Sequence, residues 1–356
     1  MRSGLIVADM PAPGPRTRAG IRVWGARFLL AALGAFVVAG CATPVGIRKV
    51  PAAEAERLLT ANVLSSGQPS TWSTQLLERL GLAAKYRRQP AAVLAEVHRG
   101  LGGLDEPRRL FTLSELAFDQ GERTGNRAWF LASAAYAWAY LFPDDPRFAP
   151  DRFDPRLRLT MTLYNRAVAR GLARGQGRDL DVSARSIPLP IGQLSVESPA
   201  ADSRFAGLRL EEFVSVATLD VRGLRNHYRR SGIGAPAIAR CARDQDTAAD
   251  RWMQDNPKVP ITLLLRFRNL RQGLRSGRLE ASLEALDPEA GGDVPVGQEE
   301  VPVESDGTAA IAYGLEGAPV WDTEIAGFRR GDFTLDGSSG GPGRRLFMMH
   351  PWIPGR

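Results

Sequence analysis

Between residues 71 and about 175, apolar side chains recur three and four positions apart, in "TWSTQLLERLGLAAKY", "QPAAVLAEVHRGL", "EPRRLFTLSELAFDQGER", "NRAWFLASAAYAWAYLF" and "DPRLRLTMTLYNRAVARGLARG". That spacing lines one face of an α-helix, and Pro or Asp-Pro at several starts marks the first turn. The pattern predicts an α-helical domain over 71–175. A spacer over 41–70 precedes it, with one short helical stretch, "PAAEAERLLTANVL".

After about Gly175 the period shortens. "SIPLPIGQLSVES", "LEEFVSVATLDVRGL", "VPITLLLRFRN", "RLEASLEALDP", "DVPVGQEEVPVES" and "AAIAYGLEG" alternate over short runs split by Gly and Pro. Such runs predict strands, and hence a β-rich domain over 176–335, an antiparallel sheet or a sandwich-like unit. The fold class expected is α+β. "LRNHYRRSGIGAP" reads as an embedded loop, "APVWDTEIAGFRRGDF" fits a short helix or a strand pair equally, and 336–356 is a Gly-rich tail.

Within the helical half, residues 106 to 142 form a pair joined by "QGERTG", with Ala132, Ala134, Ala135, Ala137 and Ala139 small enough for close helix approach. The arithmetic is that of a tetratricopeptide hairpin, yet no second unit repeats the period. The pair is therefore a candidate protein-docking surface, provided it leaves a groove exposed. The aromatics of "YAWAY" read as core.

The pattern before residue 41 is different in kind. Arginines precede an apolar run, "FLLAALGAFVVAG", of about a dozen residues, too short for the roughly 20 a spanning helix needs. This is the layout of a secretory signal over 1–40. Val38-Ala39-Gly40-Cys41 resembles the bacterial lipobox, which is cut between Gly40 and Cys41 before the cysteine sulfur carries diacylglycerol. Together with further acyl chains such as palmitate, this would anchor the chain on a membrane. Ala42, where an aspartate would signal inner-membrane retention, directs the protein to the periplasmic face of the outer membrane.

Composition adds bounds. The 356 residues, 44% hydrophobic and 24% charged, suit a globular protein of about two domains. The net charge of +7 is concentrated in residues 1 to 40, where five arginines meet one aspartate. What remains is too mild for a nucleic-acid surface. With Cys41 lipidated, Cys241 is the other of two cysteines and has no partner for a disulfide. Cys241 reads as a buried structural thiol.

Candidate chemistry is sparse. Gly337-Ser338-Ser339-Gly340-Gly341 spells G-x-S-x-G, but a nucleophile elbow needs a strand before the serine and a helix after it, and Pro342 and Gly343 follow instead. Past it only His350 remains, with no acid beyond Asp336, so Ser339 is read as a loop residue and no catalytic residue is assigned. The three histidines, His98, His227 and His350, lie far apart and no C-x-x-C or H-x-x-x-H occurs, so neither a metal nor a cofactor is implied. Around His227, Arg222, Arg225, Arg229 and Arg230 make a loop suited to an anion or, more simply, to docking on the same protein. The adjacent pairs Glu211-Glu212 and Glu299-Glu300 would point to opposite faces of a strand.

Several phrases together resemble the N-terminal region of a family of bacterial α/β-hydrolase lipoproteins. They are "LSSGQPS" at 64 to 70, "LFTLSELAFDQGER" with "LASAAYAWAYLFP", "DPRLRLTMTLYNRAVARGL", "VRGLRNHYRRSGIGAP", "VPVESDGTAAIAYGLEG" and "WDTEIAGFRRGDF". In such relatives the text similar to "LFMMHPWIPGR" leads into a strand and an H-G oxyanion motif. The resemblance implies an anchored accessory region that packs beside a serine hydrolase domain, in cis or in trans as one half of a split enzyme, with no triad of its own.

Overall fold

The computed structural model describes residues 46–175, 178–205, 208–222, 224, 227–242, 257–296 and 299–316. Residues 1–45 with Gly40 and Cys41, Arg225, "APVWDTEIAGFRRGDF" and the tail with Ser339 and His350 lie outside them. Contacts divide the chain into Met1–Glu56 and Arg57–Arg356. In the first unit Arg48 pairs with Glu54 at 2.9 Å.

The helices are α1 (Ala52–Leu59), α2 (Val63–Ser66), α3 (Thr71–Arg79), α4 (Ala83–Arg88), α5 (Pro90–Arg99), α6 (Glu106–Thr124), α7 (Arg127–Leu141) and α8 (Pro155–Leu172). Short polar side chains start several of them by accepting from otherwise unpaired amides. Asn62 and Ser65 form a capping box, Ser70 caps α3, Asn126 caps α7, and Asp154 caps α8 with Pro155 in the first turn.

Helix α7 is apolar all round because it is covered all round, by α6, α8 and the sheet. Its Ala132, Ala134, Ala135 and Ala137 are fully buried. Gly121 of α6 lets the ring of Phe130 approach so closely that an added Cβ would lie 2.8 Å from it. The inner face of the 106–142 pair is thus filled by the protein's own core.

The second half forms a seven-stranded sheet in the order β1-β2-β8-β7-β6-β4-β3. Its strands are β1 (Arg185–Leu189), β2 (Gly192–Glu197), β3 (Arg204–Phe205), β4 (Leu208–Ser215), β6 (Ala235–Ala242), β7 (Lys258–Arg268) and β8 (Arg278–Leu286). Neighbours run antiparallel except β2 and β8, which are parallel. Short pairs join β5 (Arg229–Arg230) to β11 (Ser305–Asp306) and β9 (Val294–Val296) to β10 (Glu299–Val301). The fold is α+β, helical and then β-rich. A single mixed sheet stands where a sandwich was one expectation, because helices rather than a second sheet cover it.

Helices α7 and α8 pack on the sheet at β1, β6 and β7, and one continuous hydrophobic core runs from Val63 through the helices to Val303. Strand β6 is covered on both faces: Ala237 and Ala239 join that core, while Ile238 joins a smaller cluster with Val216, Ala309 and Ala310. Ala309 and Ala310 belong to α10 (Gly307–Leu315), in "AAIAYGLEG", which the alternation presented as a strand. It is helical because the Asp306 side chain accepts from the Ala309 amide at 2.9 Å and its alanines favour helix. A further helix, α9 (Leu270–Ser276), links β7 to β8.

Candidate functional site

The arginine loop folds back on its own protein. Arg229 forms an ion pair with the buried Glu304, and Arg230 donates to the Pro288 carbonyl. Glu304 also accepts from Asn165 of α8, whose Nδ2 donates to Gly232 O at 2.9 Å and whose Oδ1 accepts from the Gly234 amide at 2.7 Å. The Thr262 hydroxyl donates to Glu304 O at 2.6 Å. One asparagine therefore joins helix, loop and β11 region, and two arginines singled out in the sequence serve that joint. His227 is exposed beside it.

A second polar centre lies inside the helices. The Glu115 carboxylate is fully buried and accepts from the Ser70 amide (2.8 Å), the Ser70 hydroxyl (2.7 Å), the Ser73 hydroxyl (2.6 Å) and the Val63 amide (3.2 Å). Burial pushes its pKa up, against the pull of these donors. One turn on, Asp119 accepts from the Tyr86 hydroxyl at 2.5 Å and pairs with Arg123 at 3.3 Å. Glu115 thus ties "LSSGQPS" to α6.

The third centre is a cleft at the junction of α5, α6 and α9. Glu106 and Arg271 pair across it at 2.9 Å. On one side a cleft of about 240 Å³ is lined by His98, Arg99, Gly102, Arg271 and Arg275 among others. On the other a small pocket holds Asp144 and Asp145. His98 Nε2 meets the Leu274 carbonyl at 3.0 Å; a carbonyl only accepts, so Nε2 carries the proton and neutral Nδ1 accepts from the Tyr136 hydroxyl at 2.7 Å. Burial lowers the His98 pKa, which keeps the ring in this form.

Other candidates resolve simply. Cys241 is buried on β6 and burial raises its thiol pKa, the state of an inert structural cysteine. Glu211 and Glu212 do not point apart: a bulge between Glu211 and Phe213, with Glu212 at φ 47°, brings both carboxylates to Arg240 at 3.0 and 2.8 Å. Glu299 pairs with Arg152 at 3.4 Å. Among the described residues no cluster of His, Cys, Asp or Glu could hold a metal ion, and no helix is long and apolar enough to cross a membrane.

The centres sequence reasoning missed are Glu115, Asn165, Glu304 and the Arg271 cleft. Glu115 and Asn165 left a signal, since each stands on the apolar stripe of its helix, between Phe111 and Phe118 and between Met161 and Val168. Glu304 and Arg271 left none, for their partners are distant in the chain. No family model, curated protein or solved structure matches this chain.

Proposed function

We propose that the chain is a lipid-anchored protein of the bacterial envelope, held through Cys41 at the periplasmic face of the outer membrane, and that its α+β body is a non-catalytic scaffold beside a serine α/β-hydrolase domain. The observation that carries the anchor is Val38-Ala39-Gly40-Cys41 directly after an arginine-led apolar run. What supports the scaffold is the use made of the buried polar groups: Glu115, Asp119, Asn165 and Glu304 are each engaged in bonds that join one element to another.

Expression in a Gram-negative host with labelled palmitate tests the anchor. Wild type takes up label and fractionates with the outer membrane, and Cys41→Ser does neither; an unlabelled wild type overturns the reading. Ester hydrolysis by the purified chain, abolished by Ser339→Ala, would overturn the scaffold.

A further inference from the structure

We propose that the cleft between α5 and α9 binds a phosphate group carried on a small molecule or a lipid headgroup. Three guanidinium groups, of Arg99, Arg271 and Arg275, line it against one carboxylate, Glu106. Glu106 is matched by Arg271 at 2.9 Å, whereas Arg99 and Arg275 make no ion pair among the described residues. Three arginines against one lining carboxylate leave the cleft wall positive, which suits a phosphate, and guanidinium forks match phosphate oxygens in geometry.

The backbone is shaped for the same purpose. Arg271 and Arg275 stand one turn apart on α9, so both reach the same side. Facing them, the loop after Arg99 passes through Gly102 at φ 100°, where an added Cβ would lie 3.2 Å from the Arg275 Nη2. The loop thus passes close to the Arg275 guanidinium, and its positive φ favours glycine there. His98 contributes shape, not charge, since both ring nitrogens are engaged by Tyr136 and Leu274. A volume of about 240 Å³ admits a phosphate with a few attached atoms and falls below the roughly 300 Å³ at which pockets for larger organic ligands begin.

Calorimetric titration of the full chain in neutral detergent micelles tests this, with inorganic phosphate, glycerol 3-phosphate and micelle-borne phosphatidate as separate probes. Wild type should bind at least one saturably. The Arg99→Gln/Arg275→Gln double variant, whose side chains are exposed and whose fold is checked by its melting curve, should bind at least about tenfold more weakly. Arg152→Gln, remote from the cleft, should bind as wild type does. Binding of free phosphate identifies a soluble ligand; binding of phosphatidate alone identifies a headgroup. Equal binding by wild type and the double variant, or no saturable binding of any probe, overturns the proposal.

Discussion

The Tyr164 hydroxyl, on α8, donates to the Leu265 carbonyl at 2.8 Å and accepts from the Leu265 amide at 2.9 Å. The pairing of β6 with β7 ends at Ala235 and Leu263, so beyond that point the β7 backbone has no strand on its β6 side. A helix side chain completes the ladder there. Tyr164→Phe keeps the ring and strands both backbone groups, so it should lower stability by about 1–3 kcal/mol. Denaturant midpoints at unchanged slope measure this.

Glu115 makes stability depend on pH in an unusual direction. Its folded pKa lies above the ordinary glutamate value of about 4.3, raised chiefly by burial. The folded state therefore holds the proton more tightly than the unfolded chain, and this contribution is fully present in acid and lost as pH rises through the folded pKa. Glu115→Gln should flatten that limb in melting temperature against pH. It should also cost about 2 kcal/mol, because the new amide sets N–H donors against the donors of Ser70 and Ser73.

His98 acts on the other side. Burial holds its folded pKa below the unfolded value of about 6.5, so its contribution is present above that value and lost as pH falls toward the folded pKa. The ring resonances, followed by NMR, should titrate below pH 6.5. Protonation there should coincide with loosening of α5 from α7, since Nδ1 would no longer accept from Tyr136.

At the joint between α8 and the arginine loop, two truncations should differ. Asn165→Ala leaves the Gly234 amide without its acceptor and should cost about 2–3 kcal/mol. Arg229→Ala takes one donor from the buried Glu304 carboxylate, but Arg229 is 48% exposed and water can replace part of it, so the cost should be smaller, about 1–2 kcal/mol. Thermal unfolding of the two variants and the double variant separates the terms.

Legibility followed the range of the interaction. Helices α3 to α6 and α8 could be read because a helix buries one stripe and repeats every 3.6 residues, and α7, apolar all round, because its run is too long for a strand. The hairpin of β1 and β2 showed in the same way, its β2 half alternating buried and exposed. Strand β6 escaped notice because it is covered on both faces and built of alanines with Pro236, so nothing alternates. Helix α10 reads as a strand from its sequence because a short alanine-rich run carries both periods.

The sequence by itself determined the α+β class, the order of helices and most strands, and the burial of Cys241. Tertiary structure alone decided that Tyr164 finishes β7, that Glu115 holds residues 63 to 73, that Glu211 and Glu212 share Arg240, and that Arg99, Arg271 and Arg275 meet in one cleft. Periodicity is written within a few residues of each position, whereas these partners stand tens to more than a hundred residues apart. Only the packed chain sets which buried donor finds which acceptor.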